Sequence, residues 1–166
     1  LVLASGSPRR AEILNSVGWP FEKHVADIDE SERHGESPED YVLRRAREKA
    51  EAVAAGYPGR IVLGADTTVV IDGGILAKPD DMDDARRMIG LLSGNWHDVL
   101  TGVAVVNGGT VTGIERTRVK FASMTDAEVN FLVEMGDPLD KAGAYAIQKQ
   151  AALFIEKIDG DYWNVV

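Results

Sequence analysis

The chain has 166 residues, 45% hydrophobic and 27% charged, which suits one globular domain with enough apolar matter for a real core. It has no cysteine, so disulfides, thiolate zinc sites and cysteine nucleophiles are excluded. Its formal net charge of -9 makes it a poor binder of nucleic-acid polymers and anionic membranes, so clustered Lys and Arg point to a small anionic ligand instead.

In chain order, Leu1 to Ala4 predict a short buried strand. Ser7 stands as an N-cap with Pro8 at the first helical position, and that helix runs to about Val17, where Gly18 stops it. Residues 21–25 are ambiguous, and the acidic stretch "DIDESERHGE" reads as a loop. Residues 37–56 form the clearest helix, with Ser37 as cap, Pro38 next, acids in the first turn and Gly56 at its end. "RIVLGADTTVVI" is rich in β-branched residues and predicts one or two strands, followed by a hairpin turn at "DGG" and a short strand in "ILAKP". Ala85, Met88, Ile89 and Leu92 follow helical spacing in a second amphipathic helix ended by Gly94. Residues 97–124 predict a long hairpin turning at Asn107-Gly108-Gly109, and Thr125 with Glu128 forms a capping box at the head of a further helix. "DKAGAYAIQ" gives no clear element, "ALFIEKI" predicts a strand, and "DGDYWNVV" a turn with a strand beginning. The order predicts a mixed α/β fold: a largely antiparallel sheet with flanking helices, in one domain over 1–166. No apolar run approaches the ~18 to 20 residues of a membrane span. The first residues do not resemble a signal peptide. The chain, which starts at Leu1 and ends at Val166, reads as a trimmed fragment.

Three features carry candidate chemistry. First, the strand–turn–helix "LASGSPRR" is an anion site in outline: free N–H groups at a helix N-terminus, hydroxyls from Ser5 and Ser7, and guanidinium forks from Arg9 and Arg10. Those arginines oppose the helix dipole, which an anion would justify; a capped helix with two solvated arginines is the plain alternative. Second, Asp66 interrupts an apolar run, where an unpaired carboxylate costs several kcal/mol, so it must reach a cleft, a cation or strong donors. It could hold Mg²⁺ or act as a general base, with Thr67 and Thr68 as donors; a strand-end Asp in a turn is the alternative. Third, Lys49 shares the inward stripe of its helix with Val42, Ala46 and Val53, and either snorkels outward or delivers an ammonium to the core's edge. Lys78, before Pro79, is a further candidate, and Asp27, Asp29, Glu30 and Glu32 offer a second carboxylate for a hard cation. The three histidines lack metal-ligand spacing, and neither a P-loop nor a Rossmann fingerprint occurs.

Taken in order, "LASGSPRRAEIL", "DIDE", "AREKA", "LGADTTVV", "AKP", "LSG", "HDVLTGVAV", "DPLDKAGAYAIQ" and "GDYWNVV" resemble the Maf family of nucleoside triphosphate pyrophosphatases from Leu3 to Val166. The resemblance implies two lobes around a cleft, similar to inosine triphosphate pyrophosphatases. It implies a metal-dependent cytoplasmic enzyme, using Mg²⁺ or Mn²⁺, that splits a nucleoside triphosphate into monophosphate and pyrophosphate. It places the phosphate loop on Ser5, Ser7, Arg9 and Arg10. Catalytic roles fall on Asp66, Glu30, Lys49 and Lys78, metal ligation on Asp66 and Glu30, and substrate choice on Arg9, Thr67 and Gln148. "GAYAIQ" resembles the branch acting on dTTP and UTP; the Gln148 amide can both donate and accept, which suits a uracil or thymine edge. The same reaction on 7-methyl-GTP or another non-standard nucleotide, and a non-catalytic nucleotide-binding regulator of cell division, are the alternatives. Lys149 stands where the family usually has Gly, and the family continues beyond "NVV" into a terminal helix. The resemblance leaves monomer and homodimer open, and implies neither nucleic-acid polymer nor membrane as a partner.

Overall fold

The structure is a computed structural model and describes residues 1–29 and 31–166. Seven strands form one mixed, mostly antiparallel sheet in the order β2-β1-β3-β5-β6-β7, with β4 paired to β3. The chain divides into two compact units, Leu1–Asp66 with Thr101–Ile114, and Thr67–Leu100 with Glu115–Val166.

In the first unit, β1 (Val2–Ala4) lies between β2 (Glu22–Lys23) and the start of β3 (Val62–Ile71), parallel to both. Parallel neighbours need crossovers, and the helices α1 (Pro8–Ser16) and α2 (Pro38–Ala54) supply them. The ambiguous segment 21–25 is thus a two-residue strand. α2 begins as its sequence predicts: the Ser37 hydroxyl accepts from Asp40 N–H, and Glu39 and Asp40 occupy the first turn.

The core of this unit is built largely of small residues: Val2, Ala4, Ala46, Ala50, Val53, Val62 and Ala104. Small residues let backbones approach, and two glycines take this to its limit. A Cβ on Gly64 would lie 2.4 Å from the Ala46 carbonyl oxygen, and one on Gly102 would lie 2.3 Å from that of Val42. α2 therefore rests its backbone directly on β3 and on β5 (Trp96–Val106), with no side chain between.

In the second unit, β3 turns through Asp72 and Gly73, both at positive φ, into β4 (Gly74–Leu76), as the "DGG" signal predicts. α3 (Met82–Leu92) starts at Asp81, whose carboxylate accepts from two backbone N–H groups. β6 (Thr110–Phe121) pairs antiparallel with β7 (Ile155–Asp159), and α4 (Asp126–Gly136) carries the predicted capping box. Val69, Met88, Ile89, Leu92, Val99, Phe121, Leu132 and Tyr145 are among its core residues.

Two predicted elements differ. The strand predicted over 152–158 begins only at Ile155, because residues Gln150–Leu153 form a 3₁₀ turn. The strand expected at the end of "DGDYWNVV" is a helical turn instead, α5 (Tyr162–Val165). Asp161 caps it by accepting from Asn164 N–H, and the Asn164 amide donates to Val99 O and Thr117 Oγ1. Those tertiary bonds override the β propensity of Tyr, Trp and Val. "DKAGAYAIQ" begins on the last residue of one 3₁₀ turn, Pro138–Asp140, and contains a second, Ala142–Ala144, with Gly143 and Ala144 both left-handed.

Candidate active site

The site grows from the end of β1. Ser5 is 4% exposed, and its hydroxyl oxygen accepts from Ser7 N–H at 3.2 Å and from Arg10 Nη1 at 3.0 Å. Arg10 Nη1 also donates to the Ala65 carbonyl at 2.9 Å. Arg10 therefore folds back from the helix and fastens the loop to β3, one residue before Asp66. Ser7 occupies the N-cap position, yet its hydroxyl makes no capping bond, contrary to the expected role. Lys23, on β2, adds a cation by donating to Gly6 O at 3.0 Å. Arg9 is half-buried on the first turn of α1.

Asp66 is 8% exposed and lies within β3, which runs as a single strand, so the strand-end alternative does not hold. A carboxylate so placed needs charge partners. Lys49, on the inward stripe of α2, bonds Asp66 Oδ1 directly, so its ammonium turns to the core's edge. Arg45 Nη2 lies 3.6 Å from the same oxygen. The Arg45 side chain is 1% exposed and packs beside the Tyr41 ring, whose hydroxyl is 3.5 Å from Nη1. Sequence reasoning singled out Lys49 on this helix and missed Arg45. Its signal was position: it falls three residues after Val42 and four before Lys49, on the buried stripe.

In the acidic loop, Asp29 turns onto its own chain. The Ser31 N–H and hydroxyl hold its carboxyl below the usual range. Asp27 and Glu32 are exposed, and Glu30 lies outside the described residues. Nearby, Arg44 is clamped by both carboxylate oxygens of Glu36 at 2.6 Å, with Glu48 at 3.0 Å. Among the described residues no group of three His, Cys, Asp or Glu could hold a metal ion.

The remaining candidates belong to the second unit. Thr67 follows Asp66 and is half-buried; Lys78 and Gln148 are exposed. The carbonyl of Ala77, before Lys78, accepts from Gly143 N–H at 3.0 Å, so the Lys78 loop is tied to the 142–144 turn. Before Gln148, the buried Tyr145 hydroxyl meets His97 Nε2 at 2.8 Å. Burial lowers the His97 pKa to about 4 and raises that of Tyr145. Lys149, where the family usually has Gly, has φ -114°, so its Cβ meets no left-handed strain.

This arrangement offers one described carboxylate under two cations, beside a helix N-terminus with a third cation fastened to the same strand. It can bind an anion and present a carboxylate to it. The profile of the family described as Maf-like protein matches residues 1–166. The dTTP/UTP pyrophosphatase of Symbiobacterium thermophilum is 52% identical over 167 residues, covering 100% of this chain and 86% of that protein. That of Geotalea uraniireducens is 50% identical over 169 residues, covering 100% and 87%. Among solved structures, the Staphylococcus aureus Ham1 protein superposes with a TM-score of 0.52 at 13% identity, covering 92% of this chain and 89% of that one, a likeness of fold alone. With a family match over every residue and relatives half-identical along its whole length, the chain belongs to the Maf-like protein family.

Proposed function

We propose that this chain hydrolyses dTTP and UTP in the cytoplasm, releasing the nucleoside monophosphate and pyrophosphate. The observation that carries the reading is the 52% identity, across the whole chain, to a protein named for that activity. The site's chemistry supports it, because cations gathered around one carboxylate can stabilise the charge that develops as a phosphoanhydride breaks.

In this reading the triphosphate lies against the N-terminus of α1, where the backbone N–H groups, Ser7 and Arg9 meet phosphate oxygens, while Arg10 holds the loop in place. Lys49 leaves Asp66 for a phosphate oxygen, and Lys78 neutralises further charge. Asp66, relieved of one partner, orients a water and takes its proton as the oxygen attacks phosphorus. The α–β bridging bond breaks, and its electrons leave with pyrophosphate, whose charge the cations stabilise. Asp66 is the described residue that would hold a divalent cation, which would supply Lewis acidity at the phosphates. Gln148 and Thr67 would face the base.

The test is a panel of triphosphates, including dTTP, UTP, 7-methyl-GTP and ITP, assayed for pyrophosphate with Mg²⁺ or Mn²⁺. Turnover greatest on dTTP and UTP, and lost in Asp66→Asn while nucleotide binding persists, supports the reading. Near-normal turnover by Asp66→Asn overturns the mechanism, and a preference for another base overturns the substrate assignment.

A further inference from the structure

Residues 143–147 are buried, and the exposed Gln148 and Lys149 follow at once. The run belongs to no strand, so its placement depends on packing and on tertiary bonds. Gly143 N–H donates to Ala77 O at 3.0 Å. Three residues before Gln148, the Tyr145 hydroxyl meets His97 Nε2 at 2.8 Å. Tyr145 is 6% exposed and His97 is 3% exposed. Both rings stand edge-on to Phe121, with centroids 5.3 Å away for His97 and 4.9 Å for Tyr145. All of these residues lie within the second unit.

Stability alone does not account for an imidazole here. His97 Nδ1 is buried without a hydrogen-bond partner among the described residues. Burial pulls the ring's pKa down to about 4, so it is neutral at pH 7. A polar pair that leaves one buried nitrogen unpaired gains little over apolar side chains of the same shape. What a hydrogen bond adds is direction, because its length and angle are confined to narrow ranges. That fixes the Tyr145 ring and, through its backbone, the chain that carries Gln148.

We propose that His97 is a positioning residue for base selection: its bond to Tyr145 fixes the segment bearing Gln148 and so sets how strictly uracil is told from cytosine. This rests on the functional reading in one respect, that Gln148 faces the base.

The experiment compares kcat/KM for UTP and CTP in the full chain, since the two differ only along the hydrogen-bonding edge of the base. Loss of folded protein lowers both values equally and leaves their ratio unchanged; a displaced Gln148 lowers the ratio. In Tyr145→Phe and in His97→Leu the preference for UTP should fall about tenfold, the worth of one good hydrogen bond, chiefly through a higher KM for UTP. His97→Gln, whose amide can reach the place of Nε2, should keep the wild-type ratio. Asp161→Ala removes the cap of α5 and should lower stability with the ratio unchanged. Amide exchange over residues 142–149 should quicken in Tyr145→Phe while the rest of the unit keeps its wild-type rates. The proposal is overturned if folded Tyr145→Phe and His97→Leu keep the wild-type ratio, or if His97→Gln loses it as fully as His97→Leu. Should Tyr145→Phe fail to fold by circular dichroism, the two His97 variants carry the test. A wild type that does not prefer UTP to CTP overturns the functional reading together with this inference. A selective wild type whose ratio the variants leave unmoved overturns this inference alone.

Discussion

Gly64→Ala tests whether the glycine seam under α2 sets the active site. The new Cβ would stand 2.4 Å from Ala46 O, 2.8 Å from Ala50 N and 2.9 Å from Ala50 Cβ, where ordinary contact begins at 3.4 Å. The two closest atoms are helix backbone and cannot rotate away, so α2 must lift from β3 by about 1 Å at this turn. Arg45 and Lys49 ride on that turn and would lift with it, while Asp66, two residues along β3, stays. Overpacking of this kind costs about 1–3 kcal/mol of stability. A misplacement of about 1 Å at a catalytic group costs on the order of 10²-fold in rate, or about 2.7 kcal/mol in the barrier. The assay is pyrophosphate release under kcat/KM conditions, beside urea unfolding of the same protein. Gly90→Ala is the control: it lies inside α3 with nothing within 4 Å of its Cβ, and should gain about 1 kcal/mol with unchanged activity. Gly64→Ala with wild-type kcat/KM and stability would refute the seam's role.

Arg10→Met should lose the bonds to Ser5 and Ala65 and destabilise the fold by about 1–3 kcal/mol, with KM rising more than kcat falls; urea unfolding and steady-state kinetics check both. His97 predicts a pH dependence of stability. Its folded pKa, about 4, lies below the ordinary 6.5, so the unfolded chain binds the extra proton between those values. Its stabilisation is therefore present above pH 6.5 and lost as pH falls toward 4, amounting to about 3 kcal/mol. Unfolding free energies at pH 7 and pH 4 should differ less in His97→Phe than in wild type by that order; equal differences would exclude His97 as the cause.

Much of this was readable because the signals are local. Ser37, the Thr125–Glu128 pair and "DGG" each satisfy backbone groups within a few residues, so they act before tertiary structure exists. Asp66 stood out because an apolar run cannot bury a carboxylate alone, and Lys49 because helical spacing aimed it inward. Arg45 was obscured by three neighbouring charges that face outward or pair with other side chains; its place on the buried stripe and its partner, 21 residues on, distinguish it. Ser7 took the cap position without the cap bond, since composition specifies the residue and not its rotamer. α5 depends on bonds from Asn164 to Val99 and Thr117, far away in sequence, which no local pattern encodes.

Helix α1 has no fully buried residue, no capping hydroxyl, no acid in its first turn and no base in its last. Its steadying devices are Pro8 at the first position and the left-handed Gly18 that closes its far end, and Arg10 reaches out of it to bond Ser5 and Ala65. Such a helix sits at the low end of the chain's local stability, and its amides should exchange with solvent readily in the free protein. An anion at its head would supply what the cap does not: a charge opposite to the dipole and acceptors for the first N–H groups. If the substrate's phosphates sit there as proposed, part of the binding free energy would go into steadying these nine residues, and that part would be released again when the phosphates leave.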